Sequence, residues 1–135
     1  MQVFLPYPDF ESSLAVLDNK RLGNQIYNEC FILIQGGWIN HPCSKIWINH
    51  KKALAEYCLV GLDELNNRGR NYPRWIEFYN YHYYSQPNNG YPDIIGYEPF
   101  HAGMRSQLLL KNYNHYSRFN WKESPGEFPY VWKRF

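Results

Sequence analysis

The sequence predicts a mainly α-helical fold, a single compact domain with long irregular loops. Its 135 residues suffice for one core of ordinary size. Apolar residues recur at helical spacing in several segments, and glycine or proline residues separate these segments. The aromatic share of 19% supplies large rigid side chains, which suit a core and also stacking on bases. We therefore expect one domain that spans residues 1–135.

The first ten residues, here called the N-terminal strap, place apolar bulk directly behind the α-amino group. Val3, Phe4 and Leu5 favour burial, and Pro6 and Pro8 favour extended backbone. The strap should lie across the body of the protein and anchor the terminus. Two interpretations are open: the strap closes a core, or it also presents the α-amine as a reagent.

The first strong helix is predicted from Ser12 or Ser13 as N-cap to Gln35, with Gly36-Gly37 ending it. A polar row follows steps of three and four, so its members share one helix face: Asp18, Arg21, Leu22, Gln25 and Glu29. Apolar residues surround the second half of the helix, and buried charges require partners. The row is either an internal Asp18–Arg21 pair with backbone contacts or the lining of a cleft.

Two further helices are predicted in the middle of the chain. Asn40 or His41 can cap a helix that has Pro42 at its first position and that continues to about Leu65. A shorter helix is predicted to begin within residues 70–75 and to reach Tyr79 or Tyr81, followed by loop residues up to position 99. Basic and aromatic residues alternate in this region, which is typical either of nucleic-acid binding or of aromatic loop packing.

The last third predicts a helix that begins near Pro99 or Phe100 and a short helical piece after Asn112 or Asn114. His101 and Arg105 are four residues apart, so they share a helix face and can grip a phosphate. Lys111 lies on the same helix. In the aromatic tail, Trp132 can pack, stack on a base, or do both.

Composition and motifs give no support for several other classes of function. The formal charge of +2 is too small to indicate a polyanion partner by itself. Cys30, Cys43 and Cys58 lack CxxC spacing, so we expect reduced core thiols and no metal site. Cofactor-binding glycine motifs are absent, and no cofactor is expected. Without a leader or a long apolar run, we expect a cytoplasmic protein that does not bind membranes, in the host cytoplasm if it is viral.

Several of these motifs together resemble a known family. They are Phe4-Leu5-Pro6-Tyr7-Pro8-Asp9-Phe10, the row from Leu17 to Gln25, Trp38-x-Asn40-His41-Pro42, the helix from His101 to Lys111, His115-Tyr116, and Pro129-Tyr130-Val131-Trp132. The chain resembles the short bacterial and viral branch of the pyrimidine-dimer DNA glycosylase family. That branch is related more distantly to the phage endonuclease V type of glycosylase and AP lyase.

The resemblance implies a compact helical DNA-repair enzyme that acts on damaged or distorted duplex DNA. We expect this enzyme to be a monomer. It implies an N-terminal α-amine nucleophile, here that of Met1, which attacks C1′ and forms a Schiff base. An α-amine suits this role because its pKa of about 7.7–8.0 lies well below that of lysine. The implied DNA-binding residues are Lys20, Arg21, Gln25, Asn40, His41, His101, Arg105, Lys111 and Trp132.

The chain departs from the phage pattern at the catalytic glutamate. The phage enzyme has Arg-Glu-Leu-Pro-Arg where this chain has the residues from Lys20 to Asn24, none of which is a glutamate. Asp18 or Glu29 on the same predicted face is the candidate carboxylate. Two alternatives to a dimer glycosylase and lyase stay open: a non-catalytic nucleic-acid-binding protein of this fold, or an enzyme that acts on another modified base or nucleotide.

Overall fold

Helices carry nearly all the regular structure in the computed structural model, which describes residues 2–135. Their bounds, in chain order, are α1 Phe10–Val16, α2 Asn19–Asn24, a π-helical turn Gln25–Glu29, α3 Cys30–Ile34, α4 Pro42–Trp47, α5 Lys51–Asn67, α6 Pro73–Ser85, α7 Glu98–Lys111, α8 Tyr113–Tyr116 and a 3₁₀ turn Ser117–Phe119. The described part of the chain contains no strand. The predicted mainly α fold class is confirmed.

The prediction of one continuous first helix is wrong. Asp9 is the N-cap of α1, and its carboxylate accepts a hydrogen bond from Ser12 N at 2.8 Å. Leu17 and Asp18 then take extended conformations, with ψ of 137° and 157°. The backbone N–H of Asp18 donates to the Tyr116 hydroxyl at 3.1 Å, a contact 98 positions away in sequence. This tertiary contact takes Asp18 out of the helix that local propensity favours.

The second predicted helix is also divided. Pro42 occupies the first turn of α4 as expected, but α4 ends at Trp47 and α5 begins at Lys51. Between them, His50 has φ of −132° and ψ of 41°, outside the helical region. Helix α6 is longer than predicted, because it continues past Tyr81 to Ser85.

Helix α5 lies at the centre of the core, in contact with α1, α2, the π-turn, α3 and α6. Its buried face includes Leu54, Tyr57, Cys58, Leu62 and Leu65. The three cysteines are buried free thiols, as predicted. No helix within residues 2–135 combines the length and the apolar character that crossing a membrane requires.

The N-terminal strap is part of this core. Val3 and Leu5 have no exposed surface, and Phe4 and Phe10 are also buried. The predicted burial of the strap is confirmed for its described residues; Met1 lies outside them. No strand pairs with the described residues of the strap, and side chains instead bond the backbone of Gln2, Phe4, Leu5, Pro6 and Tyr7.

Candidate functional site

A cleft of about 400 Å³ opens beside the start of the chain. We call it the strap cleft, and its lining residues are Gln2, Phe4, Lys20, Arg21, Asn24, Tyr27, Glu29, Lys111 and Tyr130. The structure thus brings together Lys20, Arg21, Glu29 and Lys111 from the predicted site residues. The predicted nucleophile, Met1, lies outside the described residues, directly before the lining residue Gln2.

The π-turn places Glu29 in the cleft. Cys30 N donates to Gln25 O, a bond over five residues in place of the usual four. Residues five apart on a regular α-helix point about 140° away from each other. In the wider π-turn, Asn24 Nδ2 instead lies 3.4 Å from Glu29 Oε1, and both residues line the cleft.

Asp18 has a different environment from Glu29. Its carboxylate accepts hydrogen bonds from the Tyr116 hydroxyl and from Arg21 Nη1, the latter at 3.2 Å from Oδ2. Asp18 is buried and is absent from the lining of the strap cleft. The predicted Asp18–Arg21 pair therefore exists, and it holds Arg21 at the cleft. Of the two candidate carboxylates, Glu29 is the one that faces the cleft.

Gln25 anchors the strap through both ends of its amide. Its Nε2 donates to Gln2 O at 3.0 Å, and its Oε1 accepts from Phe4 N at 2.9 Å. The Tyr57 hydroxyl completes this group, at 2.8 Å from Phe4 O and 3.0 Å from Gln25 Oε1. Gln25 has no exposed surface. Gln25 is one of the residues predicted to contact DNA, and in the folded chain its polar atoms bind the backbone of the strap.

His101 continues the same anchoring. Its Nδ1 lies 2.7 Å from Leu5 O, and its Nε2 accepts from Gly96 N at 2.9 Å. These partners require the neutral ring with the proton on Nδ1. Burial lowers the pKa of His101, which favours the same neutral form. His101 is also predicted to bind phosphate. In the folded chain its ring is buried and both of its nitrogens have partners within the protein.

Arg105 is likewise an interior anchor. Its Nη1 donates to Pro6 O at 2.8 Å, and its Nε and Nη2 form a two-pronged pair with Glu123 at 2.8 and 2.9 Å. Nη2 also bonds Glu98. The hydrogen bond to Glu123 raises the pKa of Arg105, and the same bond lowers the pKa of Glu123. Arg105 is one of the residues predicted to bind phosphate, and in the folded chain these carboxylates and the strap bond its donors.

Two close approaches at glycines shape the cleft. A Cβ at Gly23 would lie 2.3 Å from the Tyr27 hydroxyl, so the glycine leaves room for this ring on the cleft wall. A Cβ at Gly103 would lie 2.3 Å from Pro129 O, so the C-terminal tail can cross α7 only at a glycine. The crossing places Tyr130 in the cleft. Burial raises the pKa of Tyr130 to about 12, so its hydroxyl stays protonated at neutral pH.

Sequence reasoning missed Gln2, Asn24, Tyr27 and Tyr130 as lining residues. Asn24 and Tyr27 lie off the predicted polar row, since a regular 3.6-residue period does not anticipate the π-turn. The sequence offers one signal for Tyr27 and Tyr130, namely Gly23 and Gly103. Each glycine lies inside a helix, where glycine costs stability, so its presence indicates that another group packs closely against it.

Asn40, His41 and Trp132 lie outside the lining of the strap cleft. His41 caps α4, with Nδ1 accepting from Cys43 N at 3.0 Å. The His41 and Trp132 rings meet edge to face at 5.6 Å, and Trp132 contacts the Tyr130 ring at 5.7 Å. Asn40 is exposed. Trp132 therefore packs between His41 and a cleft residue and is only partly buried.

Residues 2–135 contain no group of three or more histidine, cysteine, aspartate and glutamate side chains placed to hold a metal ion. The chemistry of the strap cleft consists of one carboxylate, three cations, amides and phenols. Such a cleft can bind an anionic ligand and can offer a carboxylate for proton transfer or for stabilising a developing cation.

Comparison with known families identifies the chain. The model of the pyrimidine dimer DNA glycosylase family matches residues 1–77, more than half of the protein. The chain belongs to this family. The match covers the strap, the π-turn and the helix face that supplies Lys20, Arg21, Asn24 and Glu29 to the cleft. No curated protein and no solved structure matches the chain.

Proposed function

We propose that this protein is a DNA glycosylase and AP lyase that excises pyrimidine dimers, with the strap cleft as its active site. The observation that carries the proposal is the position of Glu29 in one cleft with Lys20, Arg21 and Lys111, directly beside residue 2. Membership of the pyrimidine dimer DNA glycosylase family supports the substrate class.

The proposed nucleophile is the α-amine of Met1. The neutral amine attacks C1′ of the damaged nucleotide, a C1′–N bond forms, and the glycosidic bond breaks with its electron pair leaving on the base, which takes up a proton. Ring opening gives an imine between the amine and C1′. Loss of a proton from C2′ then expels the 3′ phosphate by β-elimination.

Glu29 is the proposed carboxylate for this sequence of steps. As an anion it stabilises the positive charge that develops on the sugar, and it can accept and return protons during ring opening and elimination. The Asn24 amide, 3.4 Å from Glu29 Oε1, orients the carboxylate. We assign Asp18 to positioning Arg21 instead, because its carboxylate pairs with Arg21 and the Tyr116 hydroxyl.

Lys20, Arg21 and Lys111 are proposed to bind DNA phosphates around the damaged nucleotide. Phosphate contacts by lysine and arginine supply most of the affinity of such complexes. The exposed Asn40 and the partly buried pair His41–Trp132 extend this surface beyond Tyr130, and the partly exposed rings can stack on bases.

Borohydride trapping tests the proposal. Incubated with UV-irradiated or abasic duplex and reduced, the protein should form a covalent adduct, because borohydride reduces the imine to a stable amine. Acetylating the α-amine should abolish the adduct. An absence of adduct with both duplexes contradicts the lyase mechanism, and an adduct that survives acetylation contradicts the choice of nucleophile.

Substituting Glu29→Gln tests the carboxylate. We expect cleavage of dimer-containing duplex to slow by about 10²- to 10⁴-fold, the usual contribution of a positioned acid–base group, while duplex binding changes little. The matched control is Glu77→Gln at an exposed position on α6. If Glu29→Gln cleaves as fast as this control, Glu29 is not the carboxylate.

One observation favours a second candidate, a DNA-binding protein without chemistry. None of the residues from Lys20 to Asn24 is a glutamate, unlike the corresponding segment of the phage enzyme. For this candidate, duplex binding persists without any adduct. Lys111→Ala then makes the negative slope of the logarithm of the binding constant against the logarithm of the salt concentration shallower by about 0.9, the value for one lost phosphate contact. Adducts on a different modified base but not on dimers indicate the remaining alternative.

A further inference from the structure

The side chain of Gln2, a residue that lines the strap cleft, has a buried hydrogen-bond donor without a partner among the described residues. Gln2 lines the cleft and is 4% exposed. Its Oε1 accepts from Val3 N at 3.0 Å, with Cys43 Sγ 3.8 Å away. Its Nε2 has no hydrogen-bond partner among residues 2–135.

The polar groups around this donor have hydrogen-bond partners, whereas the donor itself has none among residues 2–135. The neighbouring Gln25 amide bonds Gln2 O and Phe4 N, so the backbone beside Gln2 is satisfied. An unsatisfied buried donor is costly, and native structures contain few of them. Those that do occur call for an explanation, and a ligand that supplies the missing acceptor is one.

The chemistry of the amide defines the acceptor. A primary amide N–H₂ donates only, so it recognises an oxygen or an unprotonated nitrogen and not an amino group. The cations of the cleft suit charged phosphate oxygens, whereas Gln2 Nε2 is neutral and shielded from water. A neutral donor in this place suits an oxygen acceptor of the nucleotide that enters the cleft.

We propose that Gln2 Nε2 is a substrate-recognition donor that binds an oxygen acceptor of the nucleotide held in the strap cleft. The inference rests on the proposed function, since it takes a damaged DNA nucleotide as the ligand. Two sources offer this chemistry: a carbonyl oxygen of the pyrimidine base, and an oxygen of the sugar–phosphate backbone. Gln2 thereby adds a contact for recognition that is separate from the nucleophile and from Glu29.

Side-chain amide NMR tests the proposal on the intact protein. The Gln2 Nε2 resonances of ¹⁵N-labelled protein are assigned by their loss in Gln2→Met. They should shift on adding a duplex with a tetrahydrofuran abasic analogue, which cannot form an imine, or a duplex with a pyrimidine dimer. A shift with both duplexes indicates a backbone oxygen, and a shift with the dimer duplex alone indicates a base carbonyl. The exposed Gln35 amide is the internal control.

Two substitutions keep the shape of residue 2. Gln2→Glu replaces the donor by an acceptor but keeps an oxygen for Val3 N, and Gln2→Met removes the donor without adding charge. Both side chains are large, so Met1 should be retained. We expect each to weaken binding of the responding duplex by roughly 2- to 13-fold, the usual range for one hydrogen bond, whereas Gln35→Glu does not.

Unshifted Gln2 resonances with both bound duplexes overturn the inference, as does unchanged affinity in both Gln2 variants. The wild-type NMR measurement does not depend on how the variants fold. Failure of the proposed function is a separate result: it is the absence of a borohydride adduct in wild-type protein, and it leaves the Gln2 measurement intact because the abasic analogue needs no chemistry.

Discussion

Gln25 illustrates how a polar residue on a buried helix can serve the backbone of a distant segment. Its amide supplies one donor and one acceptor to residues 2 and 4, as a neighbouring strand would. His101 and Arg105 do the same for Leu5 O and Pro6 O, and Ser13 Oγ bonds both N and O of Tyr7. These side chains together replace the strand partner that the strap lacks.

This role makes Gln25→Leu a strongly destabilising substitution. Leucine has a similar volume, but it leaves Phe4 N and Gln2 O buried without partners. Each unsatisfied group costs about 1–3 kcal/mol, so the free energy of unfolding should fall by about 2–6 kcal/mol. Urea unfolding followed by circular dichroism measures the change.

The matched control for this substitution is Gln35→Leu at an exposed position, which should change the free energy of unfolding by less than about 0.5 kcal/mol. Equal stabilities for the two variants would show that the Gln25 bonds contribute nothing to holding the strap.

At the level of elements, the π-turn decides which side chains reach the cleft. The widened turn carries one extra residue between α2 and α3, and it brings Glu29 beside Asn24. One of its carbonyl groups has a partner from outside the helix, since the buried Tyr79 hydroxyl of α6 donates to Ile26 O. The Tyr79 ring also stacks on Trp75, at 5.9 Å between centroids. Helix α6 therefore stabilises a conformation that the local sequence does not favour.

Tyr79→Phe tests this support because it removes only the hydroxyl. The loss of one buried hydrogen bond should lower the free energy of unfolding by about 1–2 kcal/mol. Tyr81→Phe on the same helix is the control, since the Tyr81 side chain is 69% exposed. Urea unfolding of the two variants provides the comparison, and a Tyr79→Phe protein as stable as Tyr81→Phe would rule out a supporting role for this bond.

For the whole molecule, the sequence was sufficient for the fold class, the buried strap and the cysteines, because burial and helical period act locally. It was insufficient for the breaks at Asp18 and His50 and for the π-turn, which depend on contacts far along the chain, such as Asp18 N to Tyr116. Arg21 and Glu29 could be nominated from their shared face on the predicted helix, and Lys20 and Lys111 from the family resemblance, whereas Tyr130 could not be nominated from either.

The strap is held by His101 and Arg105 from the last third of the chain. Because His101 titrates, we expect the free energy of unfolding to depend on pH. Burial lowers the pKa of His101 below its ordinary value of 6.5. The unfolded chain then binds the His101 proton more readily than the folded chain does, and stability falls as pH drops below about 6.5. Glu123 acts in a lower range: its hydrogen bond with Arg105 lowers its pKa below 4.5, so its contribution is lost only under more acidic conditions.

We therefore expect the wild-type free energy of unfolding to decrease between about pH 7.5 and about pH 5.5, and to decrease less in His101→Asn. The variant is less stable at neutral pH because it loses hydrogen bonds to Leu5 O and Gly96 N. His82, whose pKa burial and Lys51 also lower, contributes a decrease of the same sign in both proteins, so the difference between their slopes isolates His101. Urea unfolding across this range measures both slopes, and parallel curves would mean that protonation of His101 does not loosen the strap.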